Sequence, residues 1–585
     1  MFTQLLGAGE FFIGTFWAFV PAIIAIILAL ITKQVYLSLF AGIFAGAMFL
    51  TNGNPIDALT LLFDTMGAQL GDNGGILIFL VVLGIFAVLM VKSGGSQAYG
   101  EWASSKIKTK TGAQLATIGL GCLIFVDDYF NCLTVGSAMR PVTDKAKLSH
   151  SKLAYLIDST AAPVCIIAPI SSWAAAVTGF LGDDSNGLVD FIKTIPFNMY
   201  ALFTIVMMVT FVILKLDIFK MKKNEKCAEK GDLYAGETDL PTEDIKSDGA
   251  KKGKVASLIV PVVTLIVCCV LSMYYNGYKA GYPNFTEAFA NCDSGISLAV
   301  GSVVALIITI AYYAISKSLS FKDCMNSFTE GFKSMVPAIL ILTFAWTLCA
   351  LMGAKGQDGS LNARAFIQGV FGYDEATGIT NTTMAMGIIP AVFFLLACII
   401  SFATGTSWGT FGTLIPISLC ILGSANSALL YLAMSAVLAG AVYGDHVSPI
   451  SDTTIMASTG ARCNHLDHVK TQMPYATIVA TMCFIVYIAM GFVAAELSYG
   501  ATVGITLAVG VVLIAAVITT IYFLNKKGLL DKFEDKLSAV FAKISGKNKT
   551  APSIEETIQG SSTVSDEIEE MKISRSDKDE NEIKE

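Results

Sequence analysis

GAVYGDHVSPISDTTIMASTG, residues 440–460, lies inside a long apolar region. It nevertheless carries two carboxylates (Asp445, Asp452), a histidine (His446), a proline (Pro449) and hydroxyls at Ser448, Ser451, Thr453 and Thr454. Ionisable groups at membrane depth are costly and mark ion or substrate paths. Pro449 removes a backbone donor and disfavours continuous helix around it. Broken helix is tolerated in a bilayer only where protein surrounds it or a cavity runs beside it. A related segment precedes it, AYLIDSTAAPVCIIAPISSWAAAVTG at 154–179, with Pro169-Ile170-Ser171 matching Pro449-Ile450-Ser451. Each follows a polar interruption, FVDDYFNCLTVGSAMRP at 125–141 and FATGTSWGTFGTLIP at 402–416. Interrupted apolar segments in matching halves point to a repeat transporter with its site between the repeats.

The rest of the chain supports a membrane setting. Its 585 residues are 54% hydrophobic and 15% charged, against about 25% charged in soluble domains. Mean hydropathy is +0.65. The start of the chain has no basic region before its first apolar run, so no cleavable leader is expected. Most of the 13 cysteines lie in apolar runs, where they act as small hydrophobes. The outer loops of the plan below hold one of them, Cys292, so no disulfide is expected.

Apolar runs near the ~20 residues needed to cross the hydrocarbon core fall at 16–32, 36–51, 75–92, 154–180, 198–215, 255–275, 295–315, 334–353, 428–458, 475–496 and 501–525. Basic residues flank the stretch 112–140 on both sides: Lys92, Lys106, Lys108 and Lys110 before it, Arg140, Lys145, Lys147 and Lys152 after. By the positive-inside rule both flanks are cytoplasmic, so 112–140 is a re-entrant hairpin that breaks near Asp127 and Asp128. Alternation then puts the acidic stretch 52–74 outside as a loop, and 384–416 becomes a second hairpin entering from the other face. Of 39 Lys and Arg, this plan leaves Lys193, Lys279, Lys355 and Arg364 outside.

The expected fold is an all-α polytopic membrane protein of about eleven transmembrane helices. It forms two inverted repeats, each with five spans and a re-entrant helical hairpin. The expected domains are a first repeat at 1–215, a charged cytoplasmic linker at 216–254, a second repeat at 255–496, an extra helix at 497–525 and a charged, mostly disordered cytoplasmic tail at 526–585. The tail's low hydrophobicity cannot offset the entropy of ordering it. A short amphipathic helix is allowed near 529–544.

Hard cations take oxygen ligands. The first hairpin supplies Asp127, Asp128, Asn131 and Thr134, and the helix after it Asp158. The second hairpin supplies Thr404, Thr406 and Ser407. Residues 440–460 supply Asp445, Ser448, Ser451, Asp452 and Thr453. Burial and a neighbouring carboxylate favour the protonated acid, whereas a bound cation favours the ionised one. An Asp cluster of this kind holds either a proton or Na+, and two mutually exclusive cations on one site suffice for antiport. The expected Na+ ligands are Asp445, Asp452, Asp127 and Asp158. Gly405, Gly409 and Gly412 allow close backbone approach. His446 is a secondary candidate for moving protons. Cys463, His465 and His468 have loose metal-ligand spacing but fall in a basic loop, where solvated side chains are expected. Trp173 and Trp346 read as packing or interface aromatics, and Trp408 as a possible cavity wall.

These residues carry a family resemblance. GDHVSPISDTTIMAS at 444–458 resembles the signature of the NhaC-type sodium/proton antiporters of the ion transporter superfamily. DDYFNCLTVGSAMRPVTDK at 127–145 and DSTAAPVCIIAPISSW at 158–173 resemble other segments of that family. The resemblance covers about 16–525. It implies a multi-pass secondary transporter of the cytoplasmic (inner) membrane, with a cytoplasmic C-terminus by the topology above, that works by alternating access. It also implies a homodimer in which a transport domain moves against a scaffold. The partners expected are Na+, H+ and the lipid bilayer, with no cofactor, no nucleic acid and no enzymatic activity. The alternative is a sodium- or proton-coupled carrier of an organic acid of the malate or lactate type, or of an amino acid, on the same fold. An intramembrane aspartyl protease fits poorly: the motif around Tyr443-Gly444-Asp445 would need glycine at 442, which is Val442.

Overall fold

Backbone N–H and C=O groups in lipid must pair within the protein, so long apolar runs become helices. The computed structural model describes residues 11–181, 186–237, 253–353, 359–363, 365–366, 386–422 and 428–530, with 532, 534 and 536 beyond. Among them all regular structure is helical. A 3-10 turn at Phe16–Phe19 leads into α1 (Val20–Thr32), which packs on α2 (Val35–Leu50). α3 (Pro55–Asp72), α4 (Gly74–Lys92) and α5 (Gly95–Lys106) follow. The first hairpin is α6 (Lys110–Leu123) with α7 (Asp128–Lys145). The next apolar run is broken into α8 (His150–Asp158), α9 (Ala162–Cys165) and α10 (Ser172–Thr178). α11 (Gly187–Thr194), α12 (Met199–Leu214) and α13 (Phe219–Glu229) close the first half.

The second half opens with α14 (Ala256–Lys279), α15 (Phe285–Ala290), α16 (Ser294–Ile315) and α17 (Phe321–Met352). The second hairpin is α18 (Ile389–Thr404) with α19 (Ser407–Leu422). α20 (Ala428–Val447) and α21 (Asp452–Ala461) form the second broken helix, before α22 (His465–Glu496) and α23 (Tyr499–Lys526). α20 sits at the centre, with 94% of its most apolar window buried, whereas α23 lies at the periphery with 28%.

The chain is thus an all-α polytopic membrane protein. Among the described residues, seven helices are individually long and apolar enough to span, and nine if each bent pair counts as one span. The remaining expected spans are 16–32, a shorter apolar helix, and 154–180, which is divided among α8, α9 and α10.

Three expectations need correction. The acidic stretch 52–74 is helical rather than a loop. Asn54 caps α3 by accepting from the N–H groups of Ile56 and Asp57, and Pro55 starts the helix. Proline's fixed φ suits a first helical position. α3 turns 116° from α2 and buries Ala58 and Leu62 while Ile56 and Phe63 stay exposed. The loop after α4 is also partly helical, as α5. Finally, the start of the charged linker is a docked helix. Asn224 and Glu225 of α13 are buried. Asn224 donates to Ser151 Oγ and Asp467 Oδ2 at 2.7 Å each. Glu225 accepts from Ser149 Oγ at 2.6 Å and pairs with Lys110 at 2.7 Å. Buried polar groups persist where partners are supplied, which a reading of charge content alone misses. Residues 238–252, 537–585 and the bulk of the possible helix at 529–544 lie outside the described residues.

Candidate functional site: two broken helices and two hairpin tips

The Pro-Ile-Ser match has a local structural meaning. Ser171 Oγ accepts from Ala174 N–H at 3.1 Å and caps α10. Ser451 Oγ accepts from Thr454 N–H at 3.1 Å and caps α21. Serine is a strong N-cap because its oxygen satisfies a free N–H of the first turn. Each break also touches the tip of the hairpin before it. Ser172 N–H donates to the Val126 carbonyl at 2.9 Å, and Asp452 N–H to the Gly405 carbonyl at 3.3 Å. Asn131 holds the first tip together: its Nδ2 donates to the carbonyls of Gly121 (2.7 Å), Ile124 (2.9 Å) and Thr160 (3.3 Å). These are carbonyls near the ends of α6 and α8, which lack full intrahelical partners.

The aspartates occupy distinct positions around these tips. Asp127 caps α7, its Oδ1 accepting from Phe130 N–H at 3.0 Å, while its buried Oδ2 has no partner. Asp128 accepts from Trp173 Nε1 at 3.0 Å. Asp452, in the first turn of α21, accepts from the Tyr129 hydroxyl at 2.7 Å. Asp445, near the end of α20, accepts from Ser407 Oγ at 2.8 Å and Thr453 Oγ1 at 2.9 Å, both on Oδ2. Its Oδ1 is buried without a partner. Asp158, at the end of α8, accepts from Gln472 Nε2 at 2.5 Å and Thr454 Oγ1 at 3.2 Å. His468 Nε2 lies 3.4 Å and His446 Nε2 3.9 Å from it. Thr454 also donates to the Asp445 carbonyl at 3.3 Å, so one hydroxyl links the Asp158 and Asp445 clusters.

The hydroxyl residues divide by role. Ser407, Thr453 and Ser451 surround Asp445, with Ser451 Oγ 3.2 Å from Thr453 Oγ1. Thr404 and Ser448 instead donate to carbonyls of α18, Ile400 and Phe402, at 2.8 Å each. The hydroxyls of Thr134 and Thr406 are buried without partners. Trp173 and Trp408 are both buried, and their rings lie 5.7 Å apart. Among the described residues, no three His, Cys, Asp or Glu side chains converge as a metal site.

Sequence reasoning missed Gln472 and Tyr129, and it placed His468 and Cys463 wrongly. Both are buried, not solvated. The basic residues around them set a loop-like composition, yet Asn464 caps α22 by accepting from Asp467 N–H at 2.9 Å. The helix therefore begins early and carries His468 inward. His465 reaches back to the Pro449 carbonyl at 2.8 Å, across the second break. A signal existed for Gln472: an amide seven residues beyond His465, at the edge of the apolar run that begins at Met473.

Gly405 is required by geometry at the second tip. Its φ is +68° and a Cβ there would lie 2.4 Å from the Ile450 carbonyl oxygen. Gly405→Ala is expected to lower Tm in detergent, with at least about 1–3 kcal/mol from the left-handed backbone alone. A melt within experimental error of the unmodified protein would show that tip and break are not in contact. At the first hairpin the equivalent constraint is Gly136, where a Cβ would lie 2.5 Å from the Gly460 carbonyl carbon; this seats α7 directly on α21. Gly412 has more room, its Cβ position being 3.2 Å from Ala345 Cβ.

Buried acids and hydroxyls at broken helices within a polytopic bundle define the class of integral-membrane secondary transporters. The comparisons narrow this. The profile of the Na+/H+ antiporter family matches residues 187–492. An uncharacterised protein of Haemophilus influenzae is 37% identical over 518 residues, covering 85% of this chain and 95% of its own. The chain belongs to the Na+/H+ antiporter family. It is also 32% identical over 180 residues to the malate-2H(+)/Na(+)-lactate antiporter of Bacillus subtilis, covering 30% of this chain and 34% of that protein. Among solved structures, the YdaH transporter of Alcanivorax borkumensis aligns with a TM-score of 0.41 at 14% identity, over 74% of this chain and 88% of that one.

Proposed function

We propose that this antiporter exchanges Na+ for H+ across the cytoplasmic membrane by alternating access, with its C-terminus in the cytoplasm. The observation that carries the reading is Asp445. One of its oxygens accepts from two hydroxyls on two different elements, and the other is buried and unpartnered. A buried carboxylate in that state is stabilised by one counter-cation, either a proton or Na+. Asp452, Asp127 and Asp158 supply further negative charge at the adjoining tips, and Ser407, Thr453 and Ser451 supply neutral oxygens. Two halves of matching plan, 1–215 and 255–496, would present this site to each face in turn. The paired caps at Ser171 and Ser451 support their equivalence.

The second reading is coupled carriage of an organic acid or amino acid, as the name of the Bacillus subtilis relative describes for that protein. The hydrogen-bond donors to Asp445, Asp452 and Asp128 are hydroxyls, backbone N–H groups and an indole. A set of acids with neutral donors favours a cation over an organic anion. Single-site competition makes a quantitative prediction. The apparent KM for Na+ falls close to tenfold per unit rise in pH, a shift of ~1.4 kcal/mol, and flattens once no proton remains to displace. Initial rates of Na+-driven proton release in proteoliposomes, with and without added malate or lactate, test this. A KM independent of pH means separate ion sites, and a rate that requires the organic acid favours the second reading.

A further inference from the structure

A cavity of about 490 Å³ runs between α4 and α17 on one side and α7 and α21 on the other. Asp127 is 1% exposed, whereas Lys92 and Glu330 are 30% and 53% exposed, so the cavity runs inward from the Lys92–Glu330 pair, its mouth, to Asp127, Tyr129 and Asp452, its inner end. Between them the wall is apolar, including Val88, Leu133, Met335 and Met456. A bare ion draws nothing from such a wall, because its ligands are oxygens. Chambers of 300–1,000 Å³ with apolar walls and a few convergent polar groups are typical of sites for organic molecules.

Charge decides which kind. Four charged side chains line the cavity: Lys92, Glu330, Asp127 and Asp452. Lys92 Nζ is 2.6 Å from Glu330 Oε1 at the half-exposed mouth, so that pair cancels. Two carboxylates remain at the inner end. Asp452 is engaged by Tyr129 Oη and by Thr453 N–H. Asp127, only 1% exposed, accepts from Phe130 N–H on Oδ1 and has only the neutral Ser172 hydroxyl beside it as a further side-chain donor. Two buried carboxylates at the inner end of an apolar cavity, with only neutral donors beside them, call for a counter-cation.

We propose that this cavity binds an organic cation with an apolar body. Its ammonium head is set against Asp127 and Asp452, and its hydrocarbon part lies against Val88, Leu133 and Met335. The proposal rests on the reading that these carboxylates belong to the transported cation's site, and it extends the substrate class from Na+ to organic ammonium ions. An organic anion fits poorly, since the cation available to it is held by Glu330 at the mouth.

The test uses the full chain purified in detergent and radiolabelled benzyltrimethylammonium as probe, with equilibrium binding read by scintillation proximity. Binding is expected to be saturable, and saturating Na+ is expected to weaken it by about tenfold or more. Asp452→Asn and, separately, Val88→Trp are each expected to weaken it to a similar degree. Two variants on different helices, α4 and α21, keep the test intact if one of them does not fold. Phenylacetate and the uncharged isostere (2,2-dimethylpropyl)benzene are expected not to compete. Absence of saturable binding overturns the proposal. So does equal competition by the uncharged isostere, which would mark an apolar crevice for a lipid or detergent tail. Binding unchanged in Asp452→Asn overturns it as well. Na+/H+ exchange by the unmodified protein is measured in parallel. Exchange without ammonium binding defeats this inference alone, whereas binding without exchange defeats the Na+/H+ reading.

Discussion

Asp445→Asn is expected to abolish Na+-driven proton release while leaving the protein folded. Asparagine keeps the shape of the side chain, and its carbonyl oxygen still accepts from Ser407 and Thr453, which now donate at 2.8 and 2.9 Å. Stability therefore changes little. What is lost is the negative charge that a proton or Na+ neutralises, on a side chain 1% exposed. Without it a cation entering the site is desolvated with no counter-charge, a cost that buried sites do not tolerate. The expected fall in exchange rate is at least about 100-fold, or ~2.7 kcal/mol. The assay is fluorescence of a pH-sensing dye in proteoliposomes after a Na+ pulse, with Tm measured alongside. Full exchange in this variant would remove Asp445 from the site. A collapsed Tm would mean that the carboxylate serves folding instead.

Asp158→Ala is expected to show the reverse pattern, with the larger loss in stability. Asp158 is 0% exposed and is the meeting point of α8, α21 and α22. Gln472 and Thr454 both donate to its Oδ2, and two imidazoles stand within 3.4 and 3.9 Å. Truncation removes the charged acceptor shared by the amide and the hydroxyl and leaves them their backbone acceptors, the carbonyls of His446 and Asp445, while the two imidazoles lose the adjacent carboxylate. Breaking buried charged networks from one side costs roughly 3–5 kcal/mol. A large drop in Tm and in the yield of monodisperse protein is the expected result. Asp158→Asn, which keeps an acceptor oxygen, is expected to recover most of that drop and so allow its transport to be measured. An unchanged melt for Asp158→Ala would show that the network contributes little to folding. Asp158 would then be grouped with Asp445 as an ion-binding residue only.

The contrast between these two aspartates was not legible in the chain. Asp445 and Asp158 both read as membrane acids next to a Pro-Ile-Ser segment. What separates them is Gln472 and His468, which lie more than 300 positions from Asp158. The same holds for Tyr129 with Asp452 and for Trp173 with Asp128. His468 was misplaced because loop-like composition hid the cap at Asn464. The docked helix α13 was missed because its charge content resembles a solvated linker, while its partners Ser151 and Asp467 come from distant elements.

By itself the sequence determined the membrane class, the apolar runs that became helices, and the places where helices stop. Those properties depend on groups within three or four residues of one another. Apolar length sets a span, proline removes a donor, and Ser171, Ser451 and Asp127 cap the helix that follows them. The family signature at 444–458 was likewise contained in contiguous residues. Tertiary structure alone decided which carboxylate is held by hydroxyls of two elements, which is enclosed by histidines, and which faces the cavity beside α4 and α17. The reason is physical: a cap is satisfied by its own first turn, whereas a buried charge is satisfied by whatever the packing of remote helices brings to it.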